Sequence, residues 1–228
     1  MADSPRRREI RSFAVRSGRM TTSQQRAWES CWPRWGLTLD AGRLRAEQVF
    51  GRRAPLVMEI GFGMGRSLAQ MALASPEVNW LGVEVYKPGV GRLLHTLAEQ
   101  GSDNVRIYCA DAVTVVRQCL EHAVLDGVQI YFPDPWPKQR HHKRRLVQAG
   151  FVKLLADKIK PGGYLHLVTD WENYAEQMLA LLEAAPEFRN RAQAGHYSPR
   201  PDWRPLTRFE QRGLGLGHQV RDLLFDRC

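Results

Sequence analysis

Glu59-Ile60-Gly61-Phe62-Gly63-Met64-Gly65 closes the short apolar run of residues 56–60 and leads into residues 66–73, whose apolar positions recur at helical spacing. A strand that ends in a glycine-rich turn and passes into a helix begins a βαβ unit. Glycine lets the chain turn with positive φ and lets a ligand approach the backbone. The dinucleotide fingerprint G-x-G-x-x-G would place its third glycine at position 66, which is Arg66. Here the glycines stand at 61, 63 and 65, with an acid, Glu59, two residues ahead of them. The turn reads either as a ligand-binding loop or as a tight strand–helix connection that binds nothing.

Outward from this turn the pattern repeats. Strands are expected over residues 80–85, 105–109, 128–132 and 164–168, and helices over 90–99, 113–122, 145–159 and 171–184. Pro161-Gly162-Gly163 reads as a breaker between the helical stretch 145–159 and the strand after it. This alternation predicts an α/β chain with a Rossmann-like, doubly wound, mostly parallel sheet. Residues 208–211 and 220–225 add a last helix and an antiparallel C-terminal edge strand. Residues 23–35 suggest a helix whose Trp28, Trp32 and Trp35 pack on the domain. Residues 1–20 read as a flexible basic arm, and 21–228 as one domain.

The chain has 228 residues, with 43% hydrophobic and 25% charged, enough for a sizeable core. No apolar run is long enough to span a membrane, and the N-terminus lacks the apolar centre of a secretory signal. Cys31, Cys109, Cys119 and Cys228 lie far apart, so neither a zinc knuckle nor a disulfide framework is expected, and no metal ligand set stands out. A reducing, cytoplasmic setting is the default. The net charge of +9 is concentrated. Residues 1–19 carry six arginines against Asp3 and Glu9, and Lys138-Gln139-Arg140-His141-His142-Lys143-Arg144-Arg145 carries no acid; the remaining residues balance. Clustered charge of one sign attracts a polyanion, although a basic tail can also serve only as a solvated arm.

Two more acids stand at strand ends. Glu84 closes the second strand, where a carboxylate can accept from two ribose hydroxyls, and Asp111 follows the third, where an acid can accept from an adenine amino group. Each alone also fits a helix N-cap. The E-x-G-x-G-x-G turn resembles the first motif of class I S-adenosylmethionine-dependent methyltransferases, whose ligand lies across the carboxyl ends of these strands. That resemblance makes S-adenosyl-L-methionine the expected cofactor, held by Glu59, Gly61, Gly63, Gly65, Glu84 and Asp111.

The fourth strand runs into Phe132-Pro133-Asp134-Pro135-Trp136-Pro137-Lys138. Three prolines in five positions stiffen the loop and can hold a carboxylate and an aromatic in fixed places. Asp134 is the side chain to set beside a methyl acceptor. Trp136 can stack on a base or pack inward. The basic run that follows offers phosphate contacts close to the chemistry, so an acceptor carried on nucleic acid is the economical reading.

The run F-P-D-P-W-P-K-Q-R-H-H-K-R-R resembles the signature of tRNA (guanine-N7)-methyltransferases of bacterial type. Gly18-Arg19-Met20-Thr21, Val168-Thr169-Asp170 and Thr207-Arg208-Phe209-Glu210 agree with it, so the resemblance covers roughly residues 11–226. Gln139 and Arg208 depart mildly, because lysine is common at both places. The resemblance implies methylation of the variable-loop guanosine of tRNA, position 46. It implies a catalytic and cofactor-site role for Asp134 and substrate contacts at Lys138, Asp170, Thr207, Arg208, Phe209 and Glu210. It also implies RNA contacts at Arg140, His141, His142, Lys143, Arg144 and Arg145. Without it, Asp170 and Glu210 read as a helix cap and a surface ion pair. tRNA is then the partner, with no membrane and no obligatory protein partner, in a monomer or homodimer. Competing readings are an exocyclic-amine methyltransferase, a non-catalytic RNA-binding protein or tRNA chaperone, and a small-molecule methyltransferase. The first uses an acidic or amide residue followed by Pro-Pro-aromatic, whereas Asp-Pro-Trp-Pro brings the aromatic one place early. The intact set of acids opposes the second. The third leaves both basic clusters without a purpose.

Overall fold

A computed structural model describes residues 12–13 and 18–228; of Arg208, Phe209 and Leu214 only the backbone is described. The expected arm at residues 1–20 therefore lies mostly outside the described residues. The chain opens with α1 (Thr22–Trp35), capped by Thr21 and Gln24 in a reciprocal box, which satisfies two backbone donors at the helix start. β1 (Gly36–Leu37) and α2 (Ala46–Phe50) follow. The regular part then runs β2 (Leu56–Ile60), α3 (Arg66–Ala74), β3 (Asn79–Val83), α4 (Lys87–Gln100), β4 (Val105–Tyr108), α5 (Ala112–Gln118) and β5 (Leu125–Tyr131). After a 3-10 helix over Gln139–Arg144 come α6 (Ala149–Lys158), β6 (Ile159–Thr169), α7 (Glu172–Glu183), β7 (Phe188–Asn190), α8 (Arg208–Gly215) and β8 (Arg221–Arg227).

The sheet order is β1-β4-β3-β2-β5-β6-β8-β7. All pairings from β1 to β6 are parallel, and β8 runs antiparallel between β6 and β7. The antiparallel C-terminal strand is thus present, and the three-residue β7 lies outside it. Every residue of β2 and β3 is buried, because helices cover both faces of a parallel sheet. Strand residues divide between two apolar layers. Leu56, Met58 and Ile60 join the layer toward α5, α6 and α7, whereas Val57 and Trp80 join the layer toward α1, α3 and α4. Trp35 is fully inside, with its indole N–H on the Ser102 carbonyl at 2.8 Å; Trp28 and Trp32 stack on each other at 4.5 Å.

Two expectations fail locally, for visible reasons. The helix expected from residue 145 starts at Ala149. The Val147 N–H donates to the Tyr174 hydroxyl at 3.0 Å and its carbonyl accepts from Gln177 Nε2 at 3.0 Å, so side chains of α7 already satisfy the backbone there. Pro161-Gly162-Gly163 does not separate helix from strand. β6 has begun at Ile159 and passes through the triplet, with a register shift against β5 between Leu125 and Gly127. The turn residues make a bulge within the strand.

The chain winds outward from β2 through β3 to β4, then returns to lay β5 on the other side of β2. This reversal leaves a crevice at the carboxyl ends of β2 and β5, where Ile60 and Ile130 are paired.

Candidate active site

A cleft of about 1190 Å³ opens at that reversal. Its floor is the glycine turn. Gly61, Gly63 and Gly65 have φ of 76°, 58° and 74°, values that a side chain makes costly. A Cβ at Gly61 or Gly63 would meet nothing within 4 Å, so the space above both is open to a ligand. The turn is held from behind. Gly89, in the first turn of α4, abuts it so closely that a Cβ there would lie 2.0 Å from the Gly63 carbonyl oxygen.

Three acids at strand ends come together around this turn. Glu59 is buried, and its Oε1 accepts from the Ser67 hydroxyl at 2.8 Å. Its Oε2 is buried in the cleft region without a hydrogen-bond partner. Burial pushes the Glu59 carboxyl up to about 7; the Ser67 hydrogen bond opposes this and nearby Glu84 adds to it. Glu84 is a loop holder. Oε2 accepts from Gly63 N at 2.8 Å, and Oε1 accepts from Val85 N and Tyr86 N at 2.7 and 2.9 Å. Asp111 caps α5, with both bonds from Thr114 falling on Oδ1. Capping and cleft-lining therefore coexist in one residue.

The opposite wall is the proline loop. Phe132 and Trp136 bracket Pro133-Asp134-Pro135 at φ of 50° and 45°, a conformation costing on the order of 1–3 kcal/mol for each non-glycine residue. What holds the strain is visible. Phe132 N donates to the Val168 carbonyl at 2.8 Å, and Arg145 Nε donates to the Pro135 carbonyl at 2.8 Å. Asp134 is half-buried and lines the cleft. Trp136 lies under the Arg144 guanidinium at 3.6 Å, and its Nε1 donates to the Ser12 carbonyl at 3.2 Å.

The basic run divides by direction. Lys138, Arg140 and Lys143 are exposed, whereas His141, His142 and Arg144 are half-buried. Some loss of solvent and the four cations Arg140, Arg144, Lys138 and Lys143 hold His141 below its usual value. Arg145 turns inward and is only 2% exposed. Besides Pro135, it donates to Gln177 Oε1 at 2.6 Å and Asn173 Oδ1 at 2.9 Å, lies 3.1 Å from His142 Nε2, and stacks over Tyr174. In this arrangement its side chain is enclosed and holds the loop that carries Asp134 through the Pro135 carbonyl.

The C-terminal motif closes the third side. Thr207 lines the cleft and starts α8, its hydroxyl accepting from Glu210 N at 3.1 Å. Glu210 is buried, and both its oxygens take N–H groups of Arg204 at 2.7 Å, so it is not aimed at a guanine in this arrangement. Asp170 pairs with His218 at 3.3 Å and does not line the cleft. The side chains of Arg208 and Phe209 lie outside the described residues. Sequence reasoning missed Arg204, His166 and Asp222. A charge beside the apolar run Leu223-Leu224-Phe225 was a signal for Asp222; Arg204, in an irregular loop, had none. Among the described residues no cluster is suited to hold a metal ion, and no helix is long and apolar enough to cross a membrane.

An unpartnered buried carboxylate oxygen, room above two glycines and acids at successive strand ends fit S-adenosylmethionine, which offers an ammonium and ribose hydroxyls as donors. Fold and cleft are those of a class I methyltransferase. A family model described as "Putative methyltransferase" matches residues 53–223. The chain is 54% identical to a tRNA (guanine-N(7)-)-methyltransferase of Alcanivorax borkumensis, over 96% of this chain and 92% of that one. It is likewise 54% identical to the protein of that name from Ectopseudomonas mendocina, over 99% and 94%. The 16S rRNA methyltransferase KamB shares the fold, with a TM-score of 0.59 at 13% identity over 82% of this chain and 95% of that one. The chain belongs to the tRNA (guanine-N(7)-)-methyltransferase family.

Proposed function

We propose that this chain transfers a methyl group from S-adenosylmethionine to N7 of the variable-loop guanosine of tRNA, position 46, giving 7-methylguanosine. The carrying observation is that the proline loop and the glycine turn face each other across one cleft, with Asp134 on one wall and Glu59 on the other. The cofactor supplies an electrophilic methyl group on a sulfonium. Guanine N7 has a lone pair and no proton to lose, so no strong general base is required. Catalysis rests on alignment and on stabilising the charge that the purine gains. Asp134 supplies a carboxylate for that charge and an acceptor for the N1–H and amino edge of the base. Lys138, Arg140 and Lys143 contact phosphates, and Trp136 with Arg144 offers a stacking surface at the rim. A cytoplasmic location accords with a tRNA substrate.

The test is methyl transfer from labelled cofactor to bulk tRNA, followed by digestion to nucleosides. 7-Methylguanosine is the expected product, absent when the acceptor guanosine at position 46 is replaced. A methyl group on an exocyclic amine would support the exocyclic-amine reading. Cofactor binding without transfer to any tRNA would sink the assignment of the acceptor.

Glu59 makes cofactor binding pH-dependent. Its carboxyl, raised to about 7, carries a proton through much of the acid range, and the cofactor's ammonium favours the ionised form. Affinity is therefore expected to rise as pH increases from about 5.5 to about 7.5. The ligand-free protein should follow the opposite trend. The folded state holds this proton more tightly than the unfolded chain, so Glu59's contribution to stability is complete below the ordinary carboxyl value and is lost as pH rises through about 7. Calorimetry and thermal melts across this range check both slopes, and Glu59→Gln should flatten them. A slope that survives in Glu59→Gln would assign it to another group.

A further inference from the structure

Arg204 sits just before Pro205, Leu206 and Thr207, which form one wall of the cleft. Its own side chain is completely buried and does not line the cleft. Nη1 and Nη2 donate to the two oxygens of Glu210 at 2.7 Å each, so the guanidinium fork grips the carboxylate at both points. Nη2 also donates to Asp222 Oδ2 at 3.1 Å, and Nε lies 2.9 Å from Asp222 Oδ1. Asp222, on β8, accepts from His166 Nε2 at 2.7 Å, which leaves His166 Nδ1 to accept from the Tyr131 hydroxyl at 3.2 Å. Tyr131 is the last residue of β5, three positions before Asp134. One buried network thus joins the base of the proline loop, the antiparallel strand and α8. The segment leading into α8 is turned by Arg204 N donating to the Pro201 carbonyl at 3.0 Å.

Among the described side chains of α8, Gln211 and Arg212 are exposed and that of Glu210 is buried. Thr207, Gln211 and Arg212, on either side of the anchored Glu210, line the cleft. We propose that Arg204 is a positioning residue that tethers the α8 wall of the cleft in the place where the nucleic-acid acceptor must lie. The proposal rests on the tRNA reading above. It also assigns Glu210 a task in the free protein: its carboxylate anchors this wall.

Lysine offers one point charge and cannot serve both oxygens of Glu210 while reaching Asp222. Arg204→Lys therefore loosens the tether while keeping the charge. Glu210→Gln keeps volume and one acceptor, and carries the test if the lysine variant does not fold. The full chain and both variants are compared by amide hydrogen exchange over residues 205–215, by cofactor affinity and by steady-state kinetics with tRNA. Exchange in that segment should accelerate about tenfold or more while the sheet stays protected. Cofactor affinity should stay within about twofold and kcat/KM for tRNA should fall about 100-fold, the scale of a displaced positioning group. Unchanged kcat/KM in the folded variants overturns the proposal. So does a parallel loss of activity, cofactor affinity and protection across the sheet, which would make the network a prop of the whole fold. If the parent chain does not methylate tRNA, the functional reading fails, and the exchange comparison still decides whether Arg204 anchors α8.

Discussion

Asp134→Asn is expected to lower turnover about 10²–10³-fold while the cofactor still binds, the scale on which one well-placed electrostatic group acts in catalysis. The loop around this carboxylate is built to keep it still. Prolines flank it on both sides, and Phe132 and Trp136 hold left-handed backbone on either side of those prolines. Strain of this kind persists only where surrounding structure enforces it, and it clusters at functional sites. The asparagine and alanine variants separate the two tasks proposed for the side chain. If Asp134 mainly stabilises the cationic purine, asparagine is as poor as alanine, because both lack the charge. If it mainly positions the base, asparagine retains part of the activity, because its carbonyl still accepts. Single-turnover transfer with saturating tRNA reads the difference, and calorimetry verifies that cofactor affinity survives. Turnover equal to that of the parent chain in both variants would remove Asp134 from the mechanism.

The second large effect comes from Arg145, and it should differ in kind from its basic neighbours. Its side chain is buried and holds the Pro135 carbonyl, Gln177 and Asn173. Hydrogen bonds to a charged group contribute about 1.5–3 kcal/mol each and are not additive, so Arg145→Ala should destabilise the fold by about 3 kcal/mol. It should also release the strained loop and reduce turnover at saturating tRNA. Lys138, Arg140 and Lys143 are exposed; exchanging all three for alanine should change stability by less than about 0.5 kcal/mol per site. It should instead weaken tRNA binding and flatten the salt dependence by about 0.7–0.9 in log–log slope for each phosphate contact removed. Denaturant melts and salt-titrated binding report the contrast. If Arg145→Ala is stable and loses only affinity, the inward geometry is wrong; if the triple variant keeps its salt slope, the exposed run does not touch RNA.

Much of this architecture was legible in the sequence because its signals are local. The glycines at 61, 63 and 65 require positive φ, the strand–helix alternation has a period, and a parallel sheet follows from crossover connections. Clustering of charge at 138–145 and the proline spacing at 133–137 are equally local. The turn at 161–163 misled for the converse reason. Proline and glycine mark a change of direction, and only the pairing of β6 with β5 decides that this change is a bulge within a strand.

By itself, the sequence determined which residue types the cleft contains and in what order the strands deliver them. It did not determine which way a charged side chain turns. Arg144 and Arg145 are adjacent and chemically alike, yet one stacks on Trp136 at the rim and the other is enclosed by α7. Glu210 belongs to a motif that resembles a substrate-binding stretch, yet its carboxylate closes on Arg204 beside Asp222 from β8. The desolvation cost of a buried charge is met only by partners brought from distant parts of the chain. Those partners exist only once the sheet has assembled, so the tertiary structure alone decides which cations face solvent and which are enclosed.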